Sequence, residues 1–152
     1  AGGNDVAAGI VTREPPYTRD ILRLAAAIPG QVDLASIDEA SEIRSRTCGS
    51  RVRVAVTLDE KGRVVAVRQG VEACAYGQAA AALMGHRAIG LDRRGAEALL
   101  DMVTRILSAN GDPPHDWPEL AVLNPARRRT SRHEVIQLPF RALVRAIDKA
   151  RA

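Results

Sequence analysis

Two alternating apolar segments joined by a short polar turn limit the folds that this sequence can adopt. Arg51–Leu58 carries valine or leucine at every second position, which is the period of a strand with one buried face. The turn Asp59-Glu60-Lys61-Gly62 follows, and we expect Gly62 to supply its left-handed residue. The valine-rich residues 63–69 then return antiparallel. The sequence therefore predicts a β-hairpin.

Two further elements are predicted before the hairpin. Thr18 is a plausible cap for a first helix that Pro29-Gly30 would end. Its apolar positions recur at helical spacing and are Ile21, Leu24, Ala25 and Ile28. Residues 40–47, with Ile43 between polar neighbours, predict a short edge strand.

Helical patterns dominate the chain after the hairpin. Residues 75–84 are helical by composition, and Gly85 and Gly90 are expected to frame a turn. The next helix shows an apolar face and is expected to end at Asn110-Gly111; that face contains Ala96, Leu99, Leu100, Val103, Ile106 and Leu107. A packed connection around Trp117, Leu120 and Leu123 leads to a last helix that is predicted to start at Pro139, with Phe140, Leu143, Val144 and Ile147 inward.

Strands grouped before helices predict an α+β fold, a small antiparallel sheet of about three strands with helices on one face and at the ends. The 152 residues, 46% of them apolar, suffice for one core. We expect a flexible N-terminal segment at 1–16 and a single domain at 17–152. The sequence contains no run of about 18 apolar residues and so predicts no membrane span. The expected location is cytoplasmic.

The chain has two cysteines, Cys48 before the hairpin and Cys74 after it. Antiparallel strands of similar length would return Cys74 towards Cys48, at one end of the sheet. Cys74 also precedes a helix whose first amides would lower a thiol pKa, and Arg46 and Arg51 would act similarly on Cys48. Tetrahedral metal centres normally need four donors, so two thiolates require further ligands. The alternative is that both cysteines are buried packing residues.

The net charge of +4 is concentrated near the end of the chain. Residues 126–151 carry eight Arg or Lys against Glu134 and Asp148, a local charge of +6. Such a segment attracts nucleic acid, acidic proteins or phosphates. With 3% aromatic residues the run Arg127-Arg128-Arg129, joined by Arg132, lacks a stacking platform, so a nucleic-acid partner is not favoured. A solvated or partner-facing patch is preferred.

Three segments, in order, resemble the NifU-like and IscU-like (SufU-type) family of iron-sulfur cluster assembly scaffolds across residues 17–150. The first is Cys48-Gly49-Ser50 with the strand and turn after it, and the second is Glu72-Ala73-Cys74-Ala75 leading into a helix of small residues. The third is Arg132-His133-Glu134-Val135, followed by Leu138-Pro139-Phe140. The chain departs from the family pattern at Ser50, where Asp is usual, and at Val135, which occupies the place of a third cysteine.

This resemblance implies a scaffold or carrier rather than an enzyme. It would take sulfur from a cysteine desulfurase, assemble a cluster with iron and pass it to client apo-proteins. Familiar catalytic motifs such as Gly-x-Ser-x-Gly and His-Glu-x-x-His are absent from the sequence. The alternative function is a ligand-depleted adaptor or regulator of cluster assembly that binds partners without carrying a cluster.

The implied ligands are Cys48 and Cys74, with Glu134 or His133 as a further donor to an iron-sulfur cluster or zinc. His133 and Glu134 are adjacent, so in a strand at most one would face the site, and Glu134 matches the family position better. Ser50 would hydrogen-bond a ligand, and Arg132 would lie beside the site. His86 and His115 fall outside the motifs, and we expect both at the surface.

Overall fold

The computed structural model describes residues 17–108 and 113–152, so the predicted flexible segment 1–16 and the predicted helix end at Asn110-Gly111 lie outside the described residues. Within the described ranges the helices are α1 (Arg19–Ala25), α2 (Ala75–Ala88), α3 (Arg93–Ser108) and α4 (His133–Arg151). The strands are β1 (Glu42–Arg44), β2 (Arg51–Leu58) and β3 (Val64–Glu72). Short 3-10 segments are Leu34–Ser36, Glu39–Ser41, Pro118–Arg128 and Thr130–Arg132.

The three strands form one antiparallel sheet in the order β1-β2-β3, which confirms the predicted hairpin and edge strand. Arg51 pairs with Glu72 at one end of the hairpin. At the other end Gly62 has φ 78° and its N–H donates to the Asp59 carbonyl at 3.0 Å. The left-handed turn residue is a glycine because that conformation is strained for other residues.

Helices cover the sheet and enclose the core, which confirms the α+β prediction. α4 packs across β2, and α2 and α3 pack against α4. Trp117 and Phe140 meet edge to face, with ring centroids 6.2 Å apart, and join the Pro118–Arg128 segment to α4. Thr18 caps α1 as predicted, accepting from the Ile21 N–H at 3.2 Å, although α1 ends at Ala25 and does not continue to Pro29-Gly30. No helix in the described ranges is long and apolar enough to cross a membrane.

The sequence reading was wrong at Gly85, which lies inside α2 and not in a turn. A Cβ there would lie 2.8 Å from Gln69 Nε2 and 3.0 Å from two carbons of Pro29. Gln69 is fully buried, and its Nε2 donates to the Pro29 and Ala81 carbonyls at 3.0 Å each. The close approach of Gln69 and Pro29 explains why residue 85 is a glycine. Gly90, with φ 90°, does occupy the predicted turn.

The last helix begins six residues earlier than predicted, at His133, and Pro139 lies within it. Proline lacks the N–H that would bond to the carbonyl four residues before it, here that of Val135. The first turns of α4 nevertheless bury Val135, Ile136 and Leu138. Tertiary packing of this apolar face offsets the lost hydrogen bond.

Candidate thiol site at one end of the sheet

The register of the sheet places both cysteines at the same end. Arg51 pairs with Glu72; Cys48 lies three residues before Arg51, and Cys74 two residues after Glu72. Cys48 is exposed and Cys74 is partly exposed. Exposure contradicts the alternative of a buried packing residue for Cys48, whereas Cys74 is partly buried and packs against the core.

Cys48 lies in a tight loop between β1 and β2. The Ser45 N–H donates to the Ser50 carbonyl at 2.8 Å and closes the loop, and Gly49 has φ 73°. The Ser45 hydroxyl accepts from the N–H groups of Thr47 and Cys48, at 3.2 and 3.3 Å. Serine side chains commonly hydrogen-bond the backbone of such turns. The loop thus presents Cys48 on a fixed backbone.

Two hydroxyls flank the Cys48 sulfur. Sγ lies 3.3 Å from Ser45 Oγ and 3.0 Å from Ser50 Oγ. Hydrogen bonds with Ser45 and then Ser50 lower the pKa of the Cys48 thiol, against smaller opposing effects of burial and of the Glu134 charge. The thiolate is the form that binds metal and attacks sulfur. Ser50 thus hydrogen-bonds Cys48, the residue that the family resemblance implies as a ligand.

Glu134 closes the same loop from the first turn of α4. Its Oε1 accepts from the Ser45 hydroxyl at 2.7 Å, from the Arg46 N–H at 3.2 Å and from the Thr47 hydroxyl at 3.4 Å. The hydrogen bond from Ser45 is the largest cause of the lowered pKa of the Glu134 carboxyl. The carboxylate of Glu134 is thus held beside Cys48, 86 residues away in the sequence.

His133 faces a different neighbour. Its Nε2–H donates to the carbonyls of Ala126 and Arg127, at 2.9 and 3.1 Å. The expectation that His133 and Glu134 occupy a strand was wrong, because they are the first two residues of α4. Their side chains still diverge, and it is Glu134 that reaches the cysteine loop.

Cys74 is the N-cap residue of α2, and its side chain makes no capping hydrogen bond. Val135 lies beside the turn that follows Cys74. A Cβ on Gly77 would come within 2.8 Å of Val135 Cγ2 and 2.6 Å of Ala73 Cβ. Val135, in the place of the third cysteine of the resemblance, is therefore buried against the first turn of α2.

Three segments thus converge at this end of the sheet: the Ser45–Ser50 loop, the start of α2 and the start of α4. Across residues 17–108 and 113–152 no group of three His, Cys, Asp or Glu side chains is arranged to hold a metal ion. Sequence reasoning missed Ser45 and Thr47. The sequence did contain an indication of their role, because both are turn-forming hydroxyl residues just before Cys48. His86 and His115 are exposed, as predicted.

No family model and no curated protein matches the sequence, but solved structures do. A NifU-like N-terminal protein from Brucella abortus is 29% identical, with a TM-score of 0.75 over 88% of this chain and 93% of that one. A hypothetical protein is 21% identical, with a TM-score of 0.73 over 85% and 94%. A putative iron-sulfur cluster assembly scaffold protein for the SUF system from Fervidobacterium islandicum AW-1 is 18% identical, with a TM-score of 0.69 over 84% and 93%.

The two structures below 25% identity establish the fold alone, whereas the Brucella protein adds similarity of sequence along nearly the whole of both chains. The order of the three segments around Cys48, Cys74 and Val135 agrees with that similarity. By its fold and by 29% identity along most of both chains, the protein is similar to a NifU-like N-terminal protein, which supports the resemblance to the NifU-, IscU- and SufU-type family.

Proposed function

We propose that the protein is a scaffold or carrier in iron-sulfur cluster assembly and holds its cargo through Cys48 and Cys74. The observation that carries the proposal is the placement of both thiols at one sheet end, with Ser45 and Ser50 lowering the pKa of Cys48. Exposed loops suit a cargo that must be loaded and released. The likeness to a NifU-like protein and to a SUF-system scaffold supports the same role.

In this proposal Glu134 is the further donor from this chain. Its Oε1 is engaged by the cysteine loop, and its Oε2 makes no hydrogen bond among the described residues. Two thiolates and one carboxylate oxygen leave a position for water or for a group from another protein. Glu134 is preferred to His133 as the ligand, because Glu134 contacts the loop that carries Cys48, whereas the His133 ring lies against the carbonyls of Ala126 and Arg127.

The proposed sulfur donor is a cysteine desulfurase. The Cys48 thiolate would attack the outer sulfur of the desulfurase persulfide, so that a new S–S bond forms on Cys48 while the desulfurase thiolate leaves. Exposure and a lowered pKa favour Cys48 as the acceptor. Client apo-proteins would then receive the assembled cluster.

The test is to isolate the protein without oxygen and to measure iron, zinc and acid-labile sulfide per chain. We expect iron and sulfide in the unaltered protein and their loss in Cys48→Ser and in Cys74→Ser. Thr57→Ser, an exposed change on β2, is the matched control and should keep both. Iron and sulfide retained in a variant lacking both cysteines would exclude the proposed site, and zinc without sulfide would exclude cluster carriage.

The second candidate is an adaptor or regulator that binds partners without a cluster. It is favoured by the absence of a three-donor metal group in the described ranges and by the buried Val135. This candidate predicts that the unaltered protein carries no iron. It also predicts that a desulfurase binds the Cys48→Ser, Cys74→Ser double variant as tightly as it binds the unaltered protein. Measuring both quantities on the same samples separates the two candidates.

A further inference from the structure

A cleft of about 850 Å³ opens between α1, the last turns of α2 and the 3-10 segment Pro118–Arg128. Its apolar lining includes Leu24 of α1, Leu83 of α2, Trp117 and Val122. Leu83 and Trp117 are each 2% exposed and belong to the core. Sites that bind small molecules have volumes of roughly 300–1,000 Å³ and mostly apolar walls. The cleft therefore has the size and the walls that an organic ligand requires.

Arg87 gives this cleft a positive charge in a fixed position. Its guanidinium lies over the Trp117 ring, with Cζ 4.9 Å from the ring centroid, and Nη2 donates to the Asp116 carbonyl at 3.0 Å. These two contacts hold the planar group in place. Arg87 is half-buried, lines the cleft and forms no ion pair with a carboxylate in residues 17–108 and 113–152. A guanidinium group has several N–H donors, so donors remain for an anion in the cleft.

The other charged groups of the cleft limit which anion can enter. Arg23 and His86 line it, but so do Asp20 and Glu119, and all four are exposed. The two carboxylates repel a ligand with several negative charges, such as a nucleic acid or a polyphosphate. A single carboxylate is repelled less, and it can accept paired hydrogen bonds from one guanidinium. Charge and apolar lining together therefore favour an apolar molecule with one carboxylate.

We propose that this cleft binds a small apolar monocarboxylate, such as a medium-chain fatty acid. Arg87 donates paired hydrogen bonds to the carboxylate, and the apolar body is buried against Leu24, Leu83 and Val122. The cleft is separate from the thiol site, because Arg87 lies in the last turn of α2 and Cys74 is the N-cap residue of the same helix. The helix rises about 20 Å between them. Binding in the cleft therefore does not depend on cargo held by the cysteines.

Decanoate and decyltrimethylammonium are suitable probes, because they share the same apolar chain and carry opposite charges. Each is titrated into the full chain by calorimetry, below its micelle concentration and at constant ionic strength. We expect saturable binding of decanoate and binding of the cation that is about tenfold weaker or more, the effect of one charged hydrogen bond. No saturable binding of decanoate, or equal binding of the two probes, would overturn the site.

Arg87→Gln should weaken decanoate binding about tenfold, because it removes the cation and keeps the apolar walls. Arg94→Gln, an exposed change on α3 outside the cleft lining, is the matched control and should bind decanoate normally. Arg87 also stacks on Trp117, so melting temperatures establish that the Arg87→Gln variant is folded. Leu24→Ala leaves Arg87 in place and should weaken decanoate binding about fivefold through lost apolar contact. Unchanged affinity in both cleft variants would exclude this site.

Trp117 supplies a local readout, because it is the only tryptophan of the chain and lines the cleft. Decanoate should change its fluorescence with the same midpoint that calorimetry gives. Saturable binding without a change in Trp117 emission would place decanoate elsewhere and contradict the proposal. The Cys48→Ser, Cys74→Ser variant should bind decanoate normally, so this result reports on the cleft independently of iron and sulfide content.

Discussion

Ser45 has one hydroxyl proton and two neighbours that can accept it, the Glu134 carboxylate and the Cys48 sulfur when it is a thiolate. Its Oγ lies 2.7 Å from Glu134 Oε1 and 3.3 Å from Cys48 Sγ. When Cys48 is a thiolate, the same proton cannot serve both acceptors fully. Glu134 therefore influences Cys48 in two ways, through its own negative charge and by drawing the Ser45 proton away.

We predict that Glu134→Ala lowers the pKa of Cys48 below its value in the unaltered protein. Ser45 would be able to donate to the thiolate, and a nearby negative charge would be gone. The measurement is the rate of alkylation of the metal-free Cys74→Ser protein, in which Cys48 is the sole thiol, as a function of pH. The fast plateau should be reached at lower pH.

Glu119→Ala, an exposed change in the 3-10 segment Pro118–Arg128, is the control and should leave the alkylation profile unchanged. A profile for Glu134→Ala that moves to higher pH would mean that Glu134 acts chiefly by holding the loop. In that event the hydrogen bonds to Arg46 and Thr47 would matter more than charge.

At the scale of elements, α2 depends on two glycines for close packing. Gly77 admits Ala73 and Val135 against its first turn, and Gly85 admits Gln69 and Pro29 near its end. Glycine inside a helix ordinarily lowers stability by about 1 kcal/mol relative to alanine. The helix tolerates this cost because its small residues let β3 and α4 approach closely.

We predict that Gly85→Ala destabilises the fold by about 1–3 kcal/mol despite the better helix propensity of alanine. The new methyl group would press on Pro29, a rigid ring, and on the amide of Gln69. Urea unfolding monitored by Trp117 fluorescence measures the change.

The matched control is Gly95→Ala in α3, where the nearest atom to the new Cβ is Leu91 Cδ2 at 3.1 Å, on a side chain that can move. This variant should be neutral or slightly stabilising. If both variants behave alike, the packing around Gly85 is looser than its contact distances imply.

At the scale of the molecule, three distant segments meet to form the thiol site. The cysteine loop, the start of α2 and the start of α4 are held together by the hydrogen bond from Ser45 to Glu134, across 89 residues, and by the packing of Val135 on Gly77. Val135 is 1% exposed. Position 135 therefore lies against the first turn of α2, the helix that follows Cys74.

We predict that Val135→Cys raises the iron and sulfide retained per chain after anaerobic reconstitution, because it adds a third thiolate donor. Val135→Ala is the control for loss of packing and should give no increase. Melting temperatures for both variants establish that the fold survives. Equal cluster yields for the cysteine and alanine variants would show that position 135 does not face the cargo.

The elements with local causes could be predicted from the sequence. Alternation specified the strands of the hairpin, Gly62 the turn between them, and Thr18 the start of α1. Because the hairpin is local, the placement of both cysteines at one sheet end also followed from sequence. Periodicity and turn chemistry act over a few residues, which is why they can be read directly.

Features that depend on distant partners appear only in the folded chain. The alternation of β2 suggested that Arg53 faces away from the core, yet it is 7% exposed and bonded to Glu42 and to the carbonyls of Leu34 and Ile37. The start of α4 before Pro139 and the contact of Glu134 with the cysteine loop are of the same kind. Such features depend on burial and hydrogen bonding between residues far apart in the chain, and the local sequence pattern does not predict these contacts.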